Sequence, residues 1–185
     1  MEYKGSNAAT FTSIILNLIK ELSIQNSTSH VHFDLIGDGP LLPKIMKFLH
    51  KQTPLKVTWK VHGRLSHARY REVLAQSNVY VCPSFEGGGI AVAEAMSVGL
   101  PVVCFDNYGP GETVGSDYAG LVKVRQNGKF VEEDFFNTVI QIIEDVDFRN
   151  KVAKQSLERV DSVLDWDVKV RKLFKLYCNL VNVMK

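Results

Sequence analysis

Cysteine is scarce in this sequence and poorly placed for cross-linking. Cys82, Cys104 and Cys178 are the only three, an odd number with no C-x-x-C spacing, each in an apolar context. Buried, reduced thiols are expected, and neither disulfides nor a zinc site. Histidine is sparse too. His30, His32, His50, His62 and His67 show no metal-ligand spacing beyond the His30/His32 pair, which on a strand points to one face and reads as a solvated edge. Long apolar runs are absent. The best early stretch, Phe11 to Leu22, is broken by Asn17, Lys20 and Glu21 and is amphipathic, so no membrane span is expected. No basic segment precedes a short apolar core, so no signal peptide is expected either. Charge of one sign is also missing. The formal net charge is +2, which gives no overall case for nucleic acid as a partner. These absences describe a cytoplasmic protein, and peripheral contact with the inner face of a membrane is the one membrane role they leave.

What is present is a regular alternation. At 185 residues and 45% hydrophobic, the chain has the size and composition of one globular domain covering residues 1–185. Phe11, Ile14, Ile15, Leu18, Ile19 and Leu22 recur at helical spacing, with Ser6 or Asn7 as N-cap. Val31–Ile36 reads as a buried strand running into Gly37-Asp38-Gly39-Pro40. Leu41, Leu42, Ile45, Met46 and Leu49 form the next helical face. A strand from Leu55 to Val61 ends at Gly63, and Ser66 caps a helix over His67–Gln76. Strands follow at Asn78–Cys82, Val102–Phe105 and Gly120–Val124, with a Gly- and Pro-rich loop at Asp106–Glu112 and helix from about Val131 onward. Strands and helices alternating in units of roughly 30 residues predict a doubly wound, Rossmann-like parallel sheet. Its ligands belong at the carboxyl ends of the strands. No internal repeat or long linker interrupts the pattern.

The stretch from Pro83 to Val103 concentrates the chemistry. Glu86 stands in a loop, Gly87, Gly88 and Gly89 follow it, and Glu94 lies about one turn inside the helix that begins next. Glycines lacking a Cβ let a ligand approach the backbone, and a helix N-terminus offers free N–H groups and a positive dipole end to an anion. Such an edge suits a diphosphate attached to hydroxyl-rich groups, with carboxylates accepting from the hydroxyls. Rival motifs fail on their spacing. Neither Gly37-Asp-Gly39 nor Gly87-Gly-Gly89 completes G-x-G-x-x-G, no Gly-Lys-Ser/Thr makes a P-loop, and G-x-S-x-G is absent.

The residues Pro83-Ser84-Phe85-Glu86-Gly87-Gly88-Gly89 through Glu94-Ala95-Met96-Ser97-Val98-Gly99-Leu100-Pro101-Val102-Val103 resemble the signature of GT-B-fold retaining glycosyltransferases of family 4, the glycosyl transferases group 1 type. Lys4-Gly5, Leu35–Pro40, Gly63–His67, Gly109–Val114 and Trp166 are similar to further family segments, in the family's order. The resemblance covers almost the whole chain and implies the C-terminal, donor-binding half of the fold. It implies that Glu86 contacts hydroxyls of the donor sugar and Glu94 those of the ribose. Gly87, Gly88, Gly89 and Ile90 would face sugar and diphosphate through backbone N–H groups. Lys4 would neutralise the diphosphate, while Gly63, Arg64 and Leu65 lie beside the nucleobase. Glu86 and Lys4 are the implied catalytic residues. No metal or organic cofactor is implied. The donor would be a sugar carried on UDP, GDP or a related nucleotide, and the acceptor a saccharide or glycolipid, as in polysaccharide assembly.

Departures from the family pattern matter. Gly88 replaces the usual aromatic residue, which leaves a more open loop. Only Met1-Glu-Tyr precedes Lys4-Gly5, so residues 1–185 are expected to lack the family's first strand and its second phosphate cation, and the N-terminal acceptor domain with them. A cleft without one wall cannot exclude water or position an acceptor, so the isolated chain is expected to transfer sugar negligibly. A non-catalytic nucleotide-sugar-binding subunit completed by a separate acceptor-domain chain is the alternative. Half of a sugar-nucleotide epimerase of similar fold is a weaker one. Bland roles are the default elsewhere: Glu112 as the start of a helix, and Trp166 with the apolar face of the last helix as core packing.

Overall fold

The computed structural model describes residues 7–24, 30–51, 56–84, 87–124 and 132–183. Helix α1 (Asn7–Ile24) turns Ile14, Leu18, Ile19 and Leu22 into the core, the spacing its sequence predicts. Strand β1 (Val31–Ile36) runs parallel to β2 (Val57–Gly63), with Val31 beside Val57 and Leu35 beside Val61. Helix α2 (Leu42–Leu49) connects them, with a proline in its first turn, where an N–H has no partner to lose. Helix α3 (His67–Gln76) begins where expected because Ser66 Oγ accepts from Arg69 N at 3.3 Å.

A second ladder holds β3 (Tyr80–Cys82), β4 (Val102–Phe105) and β5 (Leu121–Val122), all parallel with β4 in the middle. Helix α4 (Ile90–Ser97) leads from β3 to β4, and α5 (Tyr108–Val114) follows β4. The chain ends in α6 (Glu132–Glu144), α7 (Val146–Arg159), a π-helical turn (Val160–Leu164) and α8 (Trp166–Val183). Parallel strands alternating with helices are the Rossmann-like arrangement the sequence predicts, although β1–β2 and β3–β4–β5 do not join into one ladder among the described residues. Val102, Val103, Cys104 and Phe105 are all buried, as an unbroken apolar strand covered on both faces must be. Phe105 packs on Phe135 of α6 with ring centroids 4.8 Å apart.

One buried polar relay ties the start of β4 to α7. Val102 N donates to Tyr118 Oη at 2.8 Å, Tyr118 lies 2.7 Å from Ser156 Oγ, and Ser156 Oγ donates to Leu100 O at 2.7 Å. With both of its neighbours' roles set, the tyrosine hydroxyl donates to the serine. Tyr118→Phe therefore leaves a buried N–H unmet and should cost about 1–3 kcal/mol, read as a lower midpoint in urea. Burial also pushes the Tyr118 hydroxyl up to about 12, above an ordinary value of 10. The unfolded chain thus ionises this group first as pH rises, so stability is fully present below about pH 10 and falls between there and about 12. Tyr118→Phe removes that part of the alkaline slope.

Three expectations need correction. The segment Tyr108–Val114 is helical, not a loop, because the Pro110 ring falls in the first turn and the glycines are buried against neighbouring backbone. The apolar face of α8 is exposed: Trp166 at 76%, Phe174 at 67% and Tyr177 at 58%. Periodicity specifies an apolar face but not what covers it. Lys169 Nζ sits 5.5 Å from the centre of the Trp166 ring. Cys178 on that helix is exposed too, whereas Cys82 and Cys104 are buried as expected, and burial raises the Cys104 thiol well above its ordinary range. Ellman titration of the native protein should therefore find one of the three thiols fast, and all three only after denaturation.

His32 is half exposed and lies 2.7 Å from Thr58 Oγ1, as suits a solvated edge. His62, by contrast, is buried against Asp34, with Nε2 and Oδ1 2.5 Å apart. No helix among the described residues is long and apolar enough to cross a membrane, and no group of three or more His, Cys, Asp or Glu there is arranged to hold a metal ion.

Candidate functional site

The loops that follow β1, β2, β3 and β4 gather at the carboxyl edge of the two ladders, as parallel strands require. The first two are tied together. Gly37 N donates to Gly63 O at 2.9 Å, and Arg64 Nε lies 3.9 Å from Asp38 Oδ2. That ion pair is largely solvated, so it contributes little. Gly63 has φ +65, a left-handed conformation that lets β2 stop and turn without strain. Leu65 is half-buried and Arg64 exposed. Ser66 and His67 then open α3.

Glu94 sits in the second turn of α4 with its side chain about one-third exposed, and Oε1 lies 3.1 Å from His67 Nε2. A carboxylate held by a neighbour but still open to solvent keeps acceptor capacity for a ligand. Nothing in the local sequence marks this pair, since 27 residues separate its members; the Ser66-His67 segment was the only signal. The N-terminus of α4 has no side-chain cap, so its first-turn N–H groups lack intrahelical partners.

The glycine loop is fixed in a way the sequence does not disclose. Gly89 is buried, has φ +62, and serves as the N-cap of α4. A Cβ there would strike Thr113 Oγ1 and come within 2.6 Å of Gly109 O. A Cβ on Gly109 would in turn approach the Gly87 carbonyl carbon and Gly88 N at 2.6 Å. Gly87–Gly89 therefore lie directly against the start of α5, backbone on backbone. Gly89 is needed for that packing, while Gly87 and Gly88 remain exposed. Next to them Tyr108, 67% exposed, adopts φ +36, the one non-glycine positive φ among the described residues. Asn107 Nδ2 and Oδ1 are buried with no hydrogen-bond partner among the described residues. Strained and unsatisfied groups of this kind collect at binding sites.

The predicted residues do not all meet in one cavity. Gly37, Gly39, Ala91 and Glu94 line a large cavity of about 930 Å³. Gly87, Gly88, Tyr108, Gly109 and Glu112 line a second of about 450 Å³, with Arg159 also in its lining. Arg159 went unnoticed in the sequence; it donates to Glu112 O and Thr113 O at 2.9 and 3.0 Å and so caps the last turn of α5. Glu112 is exposed beside it, and Ile90 is exposed at the head of α4. Lys4 and Glu86, the two implied catalytic residues, lie outside the described residues.

The fold is shared with known proteins. The chain is 26% identical over 165 residues to the uncharacterized glycosyltransferase MJ1178 of Methanocaldococcus jannaschii, an alignment covering 89% of this chain and 43% of that protein. In structure it resembles TarM, with a TM-score of 0.65 at 20% identity, over 90% of this chain and 31% of that one. It also resembles the C-terminal domain of a glycosyl transferase group 1 family protein (LpcC) from Francisella tularensis, with a TM-score of 0.57 at 13% identity, over 88% of this chain and all of that one. The chain thus spans less than half the length of the M. jannaschii relative. Residues 13–159 match the family described as glycosyl transferases group 1, and the chain belongs to it.

Proposed function

We propose that this chain supplies the donor-binding half of a family 4 retaining glycosyltransferase, which moves a hexosyl group from a nucleoside-diphosphate sugar to a saccharide or lipid-linked acceptor. The observation that carries the reading is Glu94: a carboxylate held by His67 at 3.1 Å, on a helix whose uncapped N-terminus opens from three glycines. Acceptor and donors are of the kinds that a ribose and a diphosphate need.

In this reading Glu94 accepts from the ribose hydroxyls, Glu86 from the sugar, and backbone N–H groups of Gly88, Gly89 and Ile90 face the diphosphate. Arg64 and Leu65 flank the base after the turn at Gly63. As the glycosidic bond breaks, negative charge builds on the β-phosphate, and Lys4 with the α4 dipole would stabilise it. The departing phosphate takes the acceptor's proton, with attack from the same face, so configuration is retained and no metal or organic cofactor is needed. The acceptor site belongs to a further domain. The exposed apolar face of α8, with Lys169, Arg171, Lys172 and Lys175 on that helix, supports peripheral contact with an anionic membrane surface in the cytoplasm.

Because the chain spans 43% of its M. jannaschii relative, a nucleotide-sugar-binding subunit that works with a separate acceptor-domain chain is the second reading. Titration calorimetry with UDP, GDP and ADP and their sugars tests the binding common to both. One nucleotide should bind with a dissociation constant near or below about 1 mM, roughly 4 kcal/mol. If none binds at millimolar concentration, the donor-site reading is wrong.

A further inference from the structure

Tyr108 is a residue that neither the backbone nor the core explains. Its φ of +36 belongs to a tight turn that brings Gly109 onto the Gly87–Gly88 backbone, where an added Cβ would come within 2.6 Å. Glycine adopts such a φ without steric cost, whereas a bulky L-residue adopts it under strain. Glycines surround the position in the fold, at 87, 88, 89, 109 and 111, yet residue 108 is an aromatic. Its side chain is largely exposed, so core burial does not offset the strain. Neighbouring Asn107 adds a second cost, with Nδ2 and Oδ1 buried and unpartnered among the described residues. An exposed tyrosine alone is ordinary; one held against its backbone preference at the rim of a cavity points to function.

The 450 Å³ cavity gives the ring a task. Gly87 and Gly88 contribute no side chain to it, and Tyr108 is the one aromatic residue in its lining among the described residues. Half-buried Val163 and Leu164 of the π-helical turn extend the apolar surface, while Glu112 and Thr113 supply oxygens. A flat, electron-rich face beside aliphatic side chains, with polar groups next to them, matches a pyranose, which has C–H groups on a face and hydroxyls around its edge. Arg159, the one cation in that lining, already donates to Glu112 O and Thr113 O, and the Glu112 carboxylate would repel an acidic sugar. The start of α4 separates the two cavities: Ala91 and Glu94 line the larger, Gly87 and Gly88 the smaller. A donor with its ribose at Glu94 and its diphosphate at the head of α4 therefore directs its sugar toward the smaller one.

We propose that Tyr108 is a specificity-determining residue for the donor, stacking its ring on the apolar face of a neutral hexose held in the 450 Å³ cavity. This inference rests on the donor-site reading above.

Calorimetry and proton NMR of the 185-residue chain test it, using UDP and GDP, UDP-glucose, UDP-galactose, GDP-mannose and UDP-glucuronic acid. Tyr108→Gly removes ring and strain together, and should not melt lower than the parent by more than about 2 °C. It should weaken the neutral sugar nucleotide that binds by about 3- to 10-fold, and leave the bare nucleotide within about twofold. Tyr108→Phe, which keeps the ring, should bind like the parent. The sugar's ring protons should move upfield on binding to the parent and to Tyr108→Phe, and not on binding to Tyr108→Gly. Equal loss for nucleotide and sugar nucleotide, or no loss for either, overturns the proposal and leaves the donor-site reading standing. Glucuronic acid bound as tightly as glucose overturns the neutral-hexose assignment. A chain that binds no nucleotide overturns both readings.

Discussion

Glu94→Ala should weaken nucleoside-diphosphate binding by about 10- to 100-fold while leaving the thermal midpoint within a few degrees. The two effects separate because of where the residue sits. A hydrogen bond to a charged acceptor contributes about 1.5–3 kcal/mol, and each 1.4 kcal/mol is tenfold in affinity. A ribose offers two such donors to one carboxylate. The carboxylate's partner in the protein, by contrast, is His67, whose side chain is 68% exposed. Losing that contact leaves no buried group unmet, so folding loses little. Calorimetry and a melting curve on the same sample check both halves. A variant that binds as well as the parent removes Glu94 from the site, and a variant that fails to fold shows that its role is packing.

Gly120→Ala should be strongly destabilising, at about 3 kcal/mol or more. An added Cβ would strike Val102 O and approach Tyr118 Cε1 at 2.9 Å. Neither can yield cheaply. Val102 is the first residue of β4 and is fixed by its own pairing with Tyr80. The tyrosine ring is held by the relay through Ser156. Gly120 O also accepts from Cys104 N, so moving the glycine instead would break the β4–β5 pairing. For a chain of this length the midpoint should fall by about 10 °C. Gly39→Ala is the comparison, since a Cβ there meets nothing within 4 Å, and it should stay within about 0.5 kcal/mol of the parent. A fall of less than 2 °C for Gly120→Ala would show that β4 and β5 can shift apart, contrary to the packing described.

Local rules carried much of this fold. Ser66 announces α3 through its own hydroxyl, and the unbroken Val102–Phe105 run announces a strand covered on both faces; such signals lie within a few residues of what they determine. The rest depends on partners distant in the chain. Tyr-Gly-Pro-Gly reads as a turn, yet Gly109 and Gly111 are there because Gly87–Gly88 and Asp106 press against them, and only the assembled structure shows that. Gly89 illustrates a mixed case. Its freedom from a Cβ was legible as room for a ligand, whereas the contact that demands it is with Gly109 and Thr113. At the site, Glu94 stood out from its motif, but His67 did not, and the division of the glycine loop and Glu94 between two cavities has no counterpart in spacing. The face of α8 was legible as apolar and misjudged as covered, because amphipathicity is silent about the partner.

The central claim is that a nucleoside diphosphate binds where α3 and α4 begin. Mapping backbone amide chemical shifts during titration with UDP and GDP tests it most directly. The account predicts that one of them moves the amides of Gly63–His67 and Gly87–Glu94 together, saturating with a single dissociation constant, and leaves those of α8 in place. Shifts confined to another surface, or none at millimolar nucleotide, would contradict it.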